Sequence, residues 1–213
     1  MIVAIEIRRG EDNARLMHFK GIVMFKRISM AAALLAASTA PAFAHLNPAE
    51  HGSLAAGLSH PFSGADHMLA MIAVGLWAAQ IGGKARWIVP IAFVSMMAVG
   101  FLLAMNALPL PFVEPGILAS VIGLGLLVAL AVRVPVPAAA VVVGVFALFH
   151  GHAHGGELGA ATPLSFAFGF VIATAILHAI GVGLGMLVAS RHQAIARLLG
   201  VATALGGAAL VLG

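Results

Sequence analysis

Three histidines and a glutamate lie within eight residues of one another, in the segment His150-Gly-His152-Ala-His154-Gly-Gly-Glu157. On a helix, His150, His154 and Glu157 would share one face, because their spacing is i, i+4 and i+7. In an extended segment the three histidines would instead share a side. Both arrangements offer imidazoles to a divalent metal ion, and packing alone does not require such side chains. The segment therefore predicts a metal site.

A second group of possible metal ligands comprises His60, Asp66 and His67, in the segment His60-Pro-Phe-Ser-Gly-Ala-Asp66-His67. If this segment is helical, His60 and His67 are seven residues apart and share a face. Pro61 and Gly64 would instead break the helix and leave unwound backbone carbonyls beside the carboxylate and the two imidazoles. Either geometry makes a cation site.

The same segment also has a purely structural explanation. Ser63 and Asp66 are three residues apart, which is the spacing of a capping box at a helix N-terminus. The neighbouring histidines would then be interfacial residues without a ligand. The two explanations predict different effects of Asp66→Asn, since asparagine also caps helices well.

The donor types indicate which ions would bind. The chain has ten histidines and no cysteine, which excludes a thiolate metal site. Imidazole with carboxylate favours Ni²⁺, Co²⁺ or Zn²⁺ over Cu(I), and the preponderance of nitrogen disfavours Mg²⁺ and Ca²⁺. His45, His51 and His152 are further candidate ligands. We expect the ion to be bound or transported, and we expect no prosthetic group.

The composition excludes an ordinary soluble domain. Hydrophobic residues make up 62% of the 213 residues, charged residues only 8%, and the mean hydropathy is +1.10. The formal net charge of +4 does not indicate a nucleic-acid partner, because six of the eleven lysines and arginines lie in the first 27 residues. From His45 onward, five basic residues face four acidic ones. The partner indicated is a lipid bilayer.

Residues 24–44 predict a cleaved secretory signal peptide, because a basic pair precedes a short apolar run that ends in Ala42-Phe43-Ala44. The apolar run is too short to span a bilayer, and an uncleaved anchor is the alternative. Residues 1–23 mix charges without an apolar period, so we interpret them as a non-native or misassigned extension before a true start at Met24. The mature chain would then comprise residues 45–213.

The mature chain contains six apolar segments, each of about the length that a helix needs to cross a bilayer. Their predicted positions are 64–82, 87–108, 113–132, 136–150, 163–189 and 194–212. Glycine and alanine are abundant in these segments, and small residues let helices pack closely in lipid. The predicted fold is an all-α, polytopic membrane protein, with a compact bundle of about six transmembrane helices.

The basic residues orient this bundle in the membrane. All those in the mature chain flank three connections on one side, at Lys84, Arg86, Arg133, Arg191 and Arg197. The positive-inside rule places these connections in the cytoplasm, so both termini are predicted to be periplasmic in a bacterial inner membrane. The two histidine segments then lie at the outer face. Trp77 and Trp87, beside the first cytoplasmic connection, are predicted to be interfacial anchors.

His178 lies inside the fifth predicted span, about 21 Å from its outer end at 1.5 Å per residue. An ionisable residue at such depth is by default a candidate for an ion pathway. The structural alternative is a neutral histidine that is hydrogen-bonded to Thr174, one turn earlier, or to a neighbouring helix.

The chain from about Met24 to its end resembles the HupE/UreJ family of nickel-permease-like membrane proteins. The resemblance rests on His60-Pro61, Gly64, Asp66-His67 with the following Met-Leu-Ala-Met-Ile-Ala-Val-Gly-Leu-Trp run, and on His150-Gly151, His154-Gly155 and Glu157. It implies a six-span inner-membrane protein with a cleavable leader that takes up nickel, or sometimes cobalt, for hydrogenase or urease. The functional positions it implies are His60, Asp66, His67, His150, His154 and Glu157.

The hypothesis that follows is a secondary transporter, not an enzyme. It would capture Ni²⁺ on the two histidine segments and pass the ion inward between the first, fourth and fifth spans, by way of His178. The chain has no nucleotide-binding motif, so the membrane potential or a partner would supply the energy. The alternative is an intramembrane zinc hydrolase in which Asp66 or Glu157 is the general base.

Overall fold

The computed structural model describes residues 53–156, 163–189 and 193–212. These ranges are all-helical and contain no strand, which confirms the predicted fold class. The helices are α1 (Leu54–Ser63), α2 (Ala65–Ile81), α3 (Ala85–Met105), α4 (Val113–Ala129), α5 (Val136–Gly156), α6 (Pro163–Ala189) and α7 (Gln193–Leu212). The predicted extension 1–23 and signal peptide 24–44, together with His45, His51 and Glu157, lie outside the described residues.

The chain bends sharply between α1 and α2. Ser53 begins α1 by accepting a hydrogen bond from the Ala56 N–H at 3.0 Å. Pro61 fits within the last turn of α1, and the break comes at Gly64, whose backbone is extended (φ −101°, ψ 122°). The two helix axes differ in direction by 84°. Of the two geometries predicted for this segment, the structure therefore has the broken one.

Helix lengths and composition match a membrane bundle. Four helices, α3, α5, α6 and α7, are each long and apolar enough to cross a bilayer. The bent pair α1 and α2 meets the same criterion when taken together, and α4 is a shorter apolar helix. Each predicted span coincides with one of the helices α2 to α7, and the number of membrane crossings stays a prediction.

The predicted fourth span ended too early. It was placed at 136–150, whereas α5 continues to Gly156. Gly151 and Gly155 let α3 pack against α5. A Cβ at Gly151 would overlap the Met97 carbonyl oxygen, and one at Gly155 would lie 2.5 Å from the Phe101 carbonyl oxygen. The three histidines of this segment are therefore on a helix.

Three side chains donate hydrogen bonds to the C-terminal end of α4. Trp77 Nε1 donates to the Val132 carbonyl at 2.8 Å, and Gln80 Nε2 donates to the Val128 carbonyl at 3.0 Å. Arg197 Nε donates to the Ala129 carbonyl at 2.8 Å. The Ala129 carbonyl is one that a helix end leaves without an intrahelical partner, and the Val132 carbonyl lies just beyond the helix. Trp77 is fully buried, so its prediction as an interfacial anchor was wrong.

The bundle has two chemically different ends. At the histidine end, α1 ends, α2 begins and α5 ends. The opposite end, which we call the basic end, carries the described lysines and arginines. They lie just after the C-termini of α2 and α4 and near the N-termini of α3 and α7: Lys84, Arg86, Arg133 and Arg197. This separation agrees with the distribution that the positive-inside rule requires.

Candidate metal-binding site

Four histidines from three helices converge at the histidine end. His60 lies in the last turn of α1, His67 in the first turn of α2, and His150 and His154 in the last two turns of α5. The ring centroid of His154 lies 4.6 Å from that of His60 and 4.4 Å from that of His67. The ring centroids of His67 and His150 lie 4.9 Å apart. We call these four residues the four-histidine cluster.

Local sequence explains why the rings meet. The bend at Gly64 directs His60 and His67 towards the same point from two differently oriented helices. A Cβ at Gly64 would lie 2.7 Å from Asp66 Oδ1 and 3.1 Å from His67 Nδ1, so a larger residue would displace these side chains. On α5, His150 and His154 are one turn apart and share the face that packs inward, where both are buried.

Asp66 lies behind His67 and orients it. Its Oδ1 is 2.9 Å from His67 Nδ1, and a hydrogen bond there leaves the Nε2 lone pair of His67 available. That lone pair accepts a hydrogen bond from Nε2–H of His154, and the two nitrogens lie 2.5 Å apart. Carboxylates that hold the far nitrogen of a metal-binding histidine are common in metal sites. In the structure the Asp66 carboxylate thus contacts His67, whereas the sequence predicted Asp66 as a direct metal ligand.

The capping explanation for this segment is wrong. Gly64 is the N-cap of α2, and no side chain caps that helix start. Ser63 Oγ instead donates to the His60 carbonyl at 2.6 Å, within α1. Asp66 is therefore free of a capping role and makes its hydrogen bond with His67.

Ser120 holds His150 in a defined orientation. The Ser120 hydroxyl donates its one proton to the Ile117 carbonyl at 2.6 Å, so it accepts at 2.8 Å from Nε2 of His150. The proton of this neutral imidazole is thereby fixed on Nε2. Its Nδ1 keeps a lone pair and has no hydrogen-bond partner among the described residues. Both side chains are fully buried.

Phenylalanine rings pack against the cluster. On α6, Phe166 lies 5.5 Å from His60, and Phe170 lies 4.4 Å from His154, between ring centroids. Phe93 of α3 lies 5.6 Å from the ring of His150. Sequence analysis missed these residues and Ser120. The signal available for Ser120 was a lone hydroxyl in an apolar segment, whereas phenylalanine in a membrane span carries no such signal.

The four rings of the cluster lie close together, but they are not yet arranged as the ligands of a bound metal ion. Among the described residues, no three histidine or acidic side chains are already arranged to hold an ion together. Two imidazoles bound to one ion at about 2.0–2.1 Å in tetrahedral geometry would have their nitrogens about 3.3 Å apart. His67 and His154 approach to 2.5 Å, so an entering ion has to part the two rings by less than about 1 Å.

Two other predicted ligands lie apart from the cluster. The His152 side chain, on α5, does not join the cluster, and its Nε2 lies 2.9 Å from the Leu108 carbonyl oxygen. His178 is buried deeper, on α6, and neither of its ring nitrogens has a hydrogen-bond partner among the described residues. The hydroxyl of Thr174 donates to Met97 Sδ at 3.7 Å, so the predicted bond between Thr174 and His178 is absent.

Comparison with known proteins identifies the family of this chain. The chain is 50% identical over 183 residues to Protein HupE of Rhizobium leguminosarum bv. viciae, an alignment that covers 84% of this chain and 95% of that protein. No solved structure matches the chain. The family model described as HupE / UreJ protein matches residues 32–210. The resemblance noted in the sequence is therefore confirmed: this multi-pass, all-helical membrane protein belongs to the HupE/UreJ family, which is associated with nickel and cobalt transport.

Proposed function

We propose that the protein is a permease that takes up Ni²⁺, or Co²⁺, and that the four-histidine cluster captures the ion. The observation that carries this proposal is the approach of His67 and His154, whose Nε2 atoms face each other at 2.5 Å from different helices. Nitrogen donors in a buried, cysteine-free site favour borderline divalent ions over Mg²⁺, Ca²⁺ and Cu(I). A small separation of these two rings admits the ion.

Charge also supports a cation as the substrate. Asp66, hydrogen-bonded to His67, brings a negative charge to the cluster. The described lysines and arginines lie at the basic end, so none of them repels a cation at the histidine end. A charged group at membrane depth is costly unless it serves a function such as an ion pathway.

The direction of transport follows from the orientation of the bundle. With the basic end in the cytoplasm, the cluster faces the periplasm of a bacterial inner membrane, and both termini are periplasmic. The membrane potential contributes about 2.3 kcal/mol per charge per 100 mV, so inward movement of a divalent ion gains about 4.6 kcal/mol. The ion taken up would serve the maturation of hydrogenase or urease.

The alternative of a zinc hydrolase has less support. A hydrolytic zinc site needs a carboxylate positioned to activate the metal-bound water. In the described part of the cluster, the carboxylate of Asp66 is engaged with Nδ1 of His67. The family is also one of transporter-type proteins rather than enzymes.

The test is uptake of radioactive nickel into cells that express the chain, with Co²⁺ and Zn²⁺ as competitors. His67→Ala removes the central ring of the cluster and should reduce uptake to the level of cells with an empty vector. His152→Ala is the matched control, because His152 lies outside the cluster. A wild-type chain that is abundant in the membrane and takes up no metal would refute the proposal.

A further inference from the structure

One face of α6 carries a column of buried side chains that leads inward from the cluster. Phe166, Phe170, Thr174 and His178 follow one another at intervals of four residues, and all are buried. Such a spacing stacks side chains on one side of a helix. The two phenylalanines contact the cluster, whereas the next two positions present a hydroxyl and an imidazole deeper in the bundle.

His178 lies where three helices meet. A Cβ at Gly75 of α2 would overlap the His178 carbonyl oxygen, so the α2 and α6 backbones are in close contact there. The His178 ring packs against Phe93 of α3, with centroids 5.0 Å apart and an interplanar angle of 83°. The side chain is only 1% exposed, and neither ring nitrogen has a hydrogen-bond partner in the described ranges. A buried imidazole in this state lacks the partner that buried polar groups normally have.

Two further donor atoms lie at the same helix interface. Thr174 is one turn before His178 on α6, and Met97 is one turn after Phe93 on α3. The Thr174 hydroxyl donates to Met97 Sδ at 3.7 Å, next to the contact of His178 with Phe93. An imidazole nitrogen suits ions such as Ni²⁺ and Zn²⁺, and the thioether sulfur and the hydroxyl oxygen add two further potential donors at this interface.

The cluster and this deeper group are connected through one aromatic ring. Phe93 contacts His150 at 5.6 Å on one side and His178 at 5.0 Å on the other. Nδ1 of His150 has no hydrogen-bond partner among the described residues, as is also true of His178. Two buried imidazoles with available nitrogens therefore lie on either side of Phe93.

We infer that His178, with Thr174 and Met97, is a second metal-binding site on the route of the transported ion. This inner site lies about 12 Å below the contact of Phe170 with the cluster, which is the length of eight helical residues. The ion would leave the cluster by way of His150, pass Phe93 and bind at His178 before its release at the basic end. The inference rests on the proposed function, because the inner site receives the ion that the cluster captures.

Equilibrium binding of Ni²⁺ to the purified full chain in detergent measures how many ions each chain binds, and so tests whether the inner site exists. The wild-type chain should bind about two ions at saturation, and His178→Gln and His67→Ala should each bind about one. His152→Ala is the matched control and should bind as the wild type does. A wild-type chain that binds a single ion, or a His178→Gln chain that still binds two, would overturn the inference.

Uptake into proteoliposomes provides the second measurement, normalised to folded protein by size-exclusion chromatography. His178→Gln should lower the maximal rate by about 10-fold or more while the affinity of the cluster changes by less than about twofold. Thr174→Val should also lower the maximal rate. It provides the test if the His178→Gln variant fails to fold. Wild-type rates in both folded variants would overturn the inference.

The two measurements separate this inference from the proposed function. If the wild-type chain binds two ions and transports none, the permease proposal fails while the inner site stands as a binding site. If the chain transports nickel, binds one ion and is unaffected by the loss of His178, the inner site is refuted while the permease proposal stands.

Discussion

Oδ1 of Asp66 and Nδ1 of His67 lie 2.9 Å apart, although the two residues are neighbours in the chain. The contact forms because α2 begins at Ala65 and Gly64 leaves space on the inner side of the bend. It fixes the proton of His67 on Nδ1 and presents Nε2 to the other histidines. The carboxylate thus determines how the neighbouring imidazole is oriented.

Asp66→Asn tests this relationship. The amide oxygen can still accept from His67, but the charge is lost, and outer partners of this kind typically contribute 10–100-fold in metal affinity. We expect nickel affinity to fall by about 10-fold or more, with the protein still abundant in the membrane. Wild-type affinity in this variant would show that the charge of Asp66 does not strengthen metal binding through His67.

Ser120→Ala should weaken metal binding through His150. Without the hydroxyl, the imidazole is no longer held with its proton on Nε2, and affinity should fall by about 10-fold. Ser120→Thr keeps a hydroxyl and should recover part of the loss. The ¹⁵N NMR shifts of histidine in the labelled protein report the tautomer directly. If the alanine variant retains the same His150 tautomer, Ser120 does not position this ring.

Gly64→Ala should disturb the cluster, because Gly64 lies at the bend between α1 and α2. The added Cβ would lie 2.7 Å from Asp66 Oδ1 and 3.1 Å from His67 Nδ1, so both side chains have to move. We expect nickel uptake per folded molecule to fall by about 10-fold. Gly156→Ala is the matched control, because a Cβ there meets no atom within 4 Å. Equal uptake by the two variants would show that the bend tolerates the side chain.

The sequence predicted the helices well because the bilayer dictates their apolar length. The end of α5 was the main error. The predicted span ended at His150, but whether a glycine that follows ends a helix or lets another helix approach depends on what packs there. That partner is α3, whose Met97 and Phe101 carbonyls lie against the two glycines. The spacing of residues along α5 alone does not predict such a contact with another helix.

The site was predictable in its residue types and less so in their roles. The positions of His60, His67, His150 and His154 in two segments predicted metal ligands, and the structure brings all four together. Ser120 was missed because it reaches His150 from another helix, 30 residues away in sequence. Pairings between helices depend on how the bundle packs, which the two histidine segments do not specify.

The number of membrane crossings can be tested with reporter tags. A tag after Gly213 and another between Gly159 and Thr162 should both report a periplasmic location if, as predicted, six spans follow an exported N-terminus. Sequencing of the mature N-terminus should begin at His45 if the signal peptide is removed. A cytoplasmic tag after Gly213 would refute the six-span topology.

His152 and His154 provide the sharpest comparison within the site, since they lie two residues apart on α5. His154 is buried against His67 and His60, whereas His152 is directed towards the Leu108 carbonyl. His154→Ala should raise the nickel concentration for half-maximal uptake by about 10-fold or more, and His152→Ala should leave it within about twofold. Both variants remove one imidazole from the same turn, so general effects on folding or on nonspecific metal binding are matched. An extended segment in which alternate histidines act together would make the two substitutions equally damaging, and that outcome would contradict the helical site.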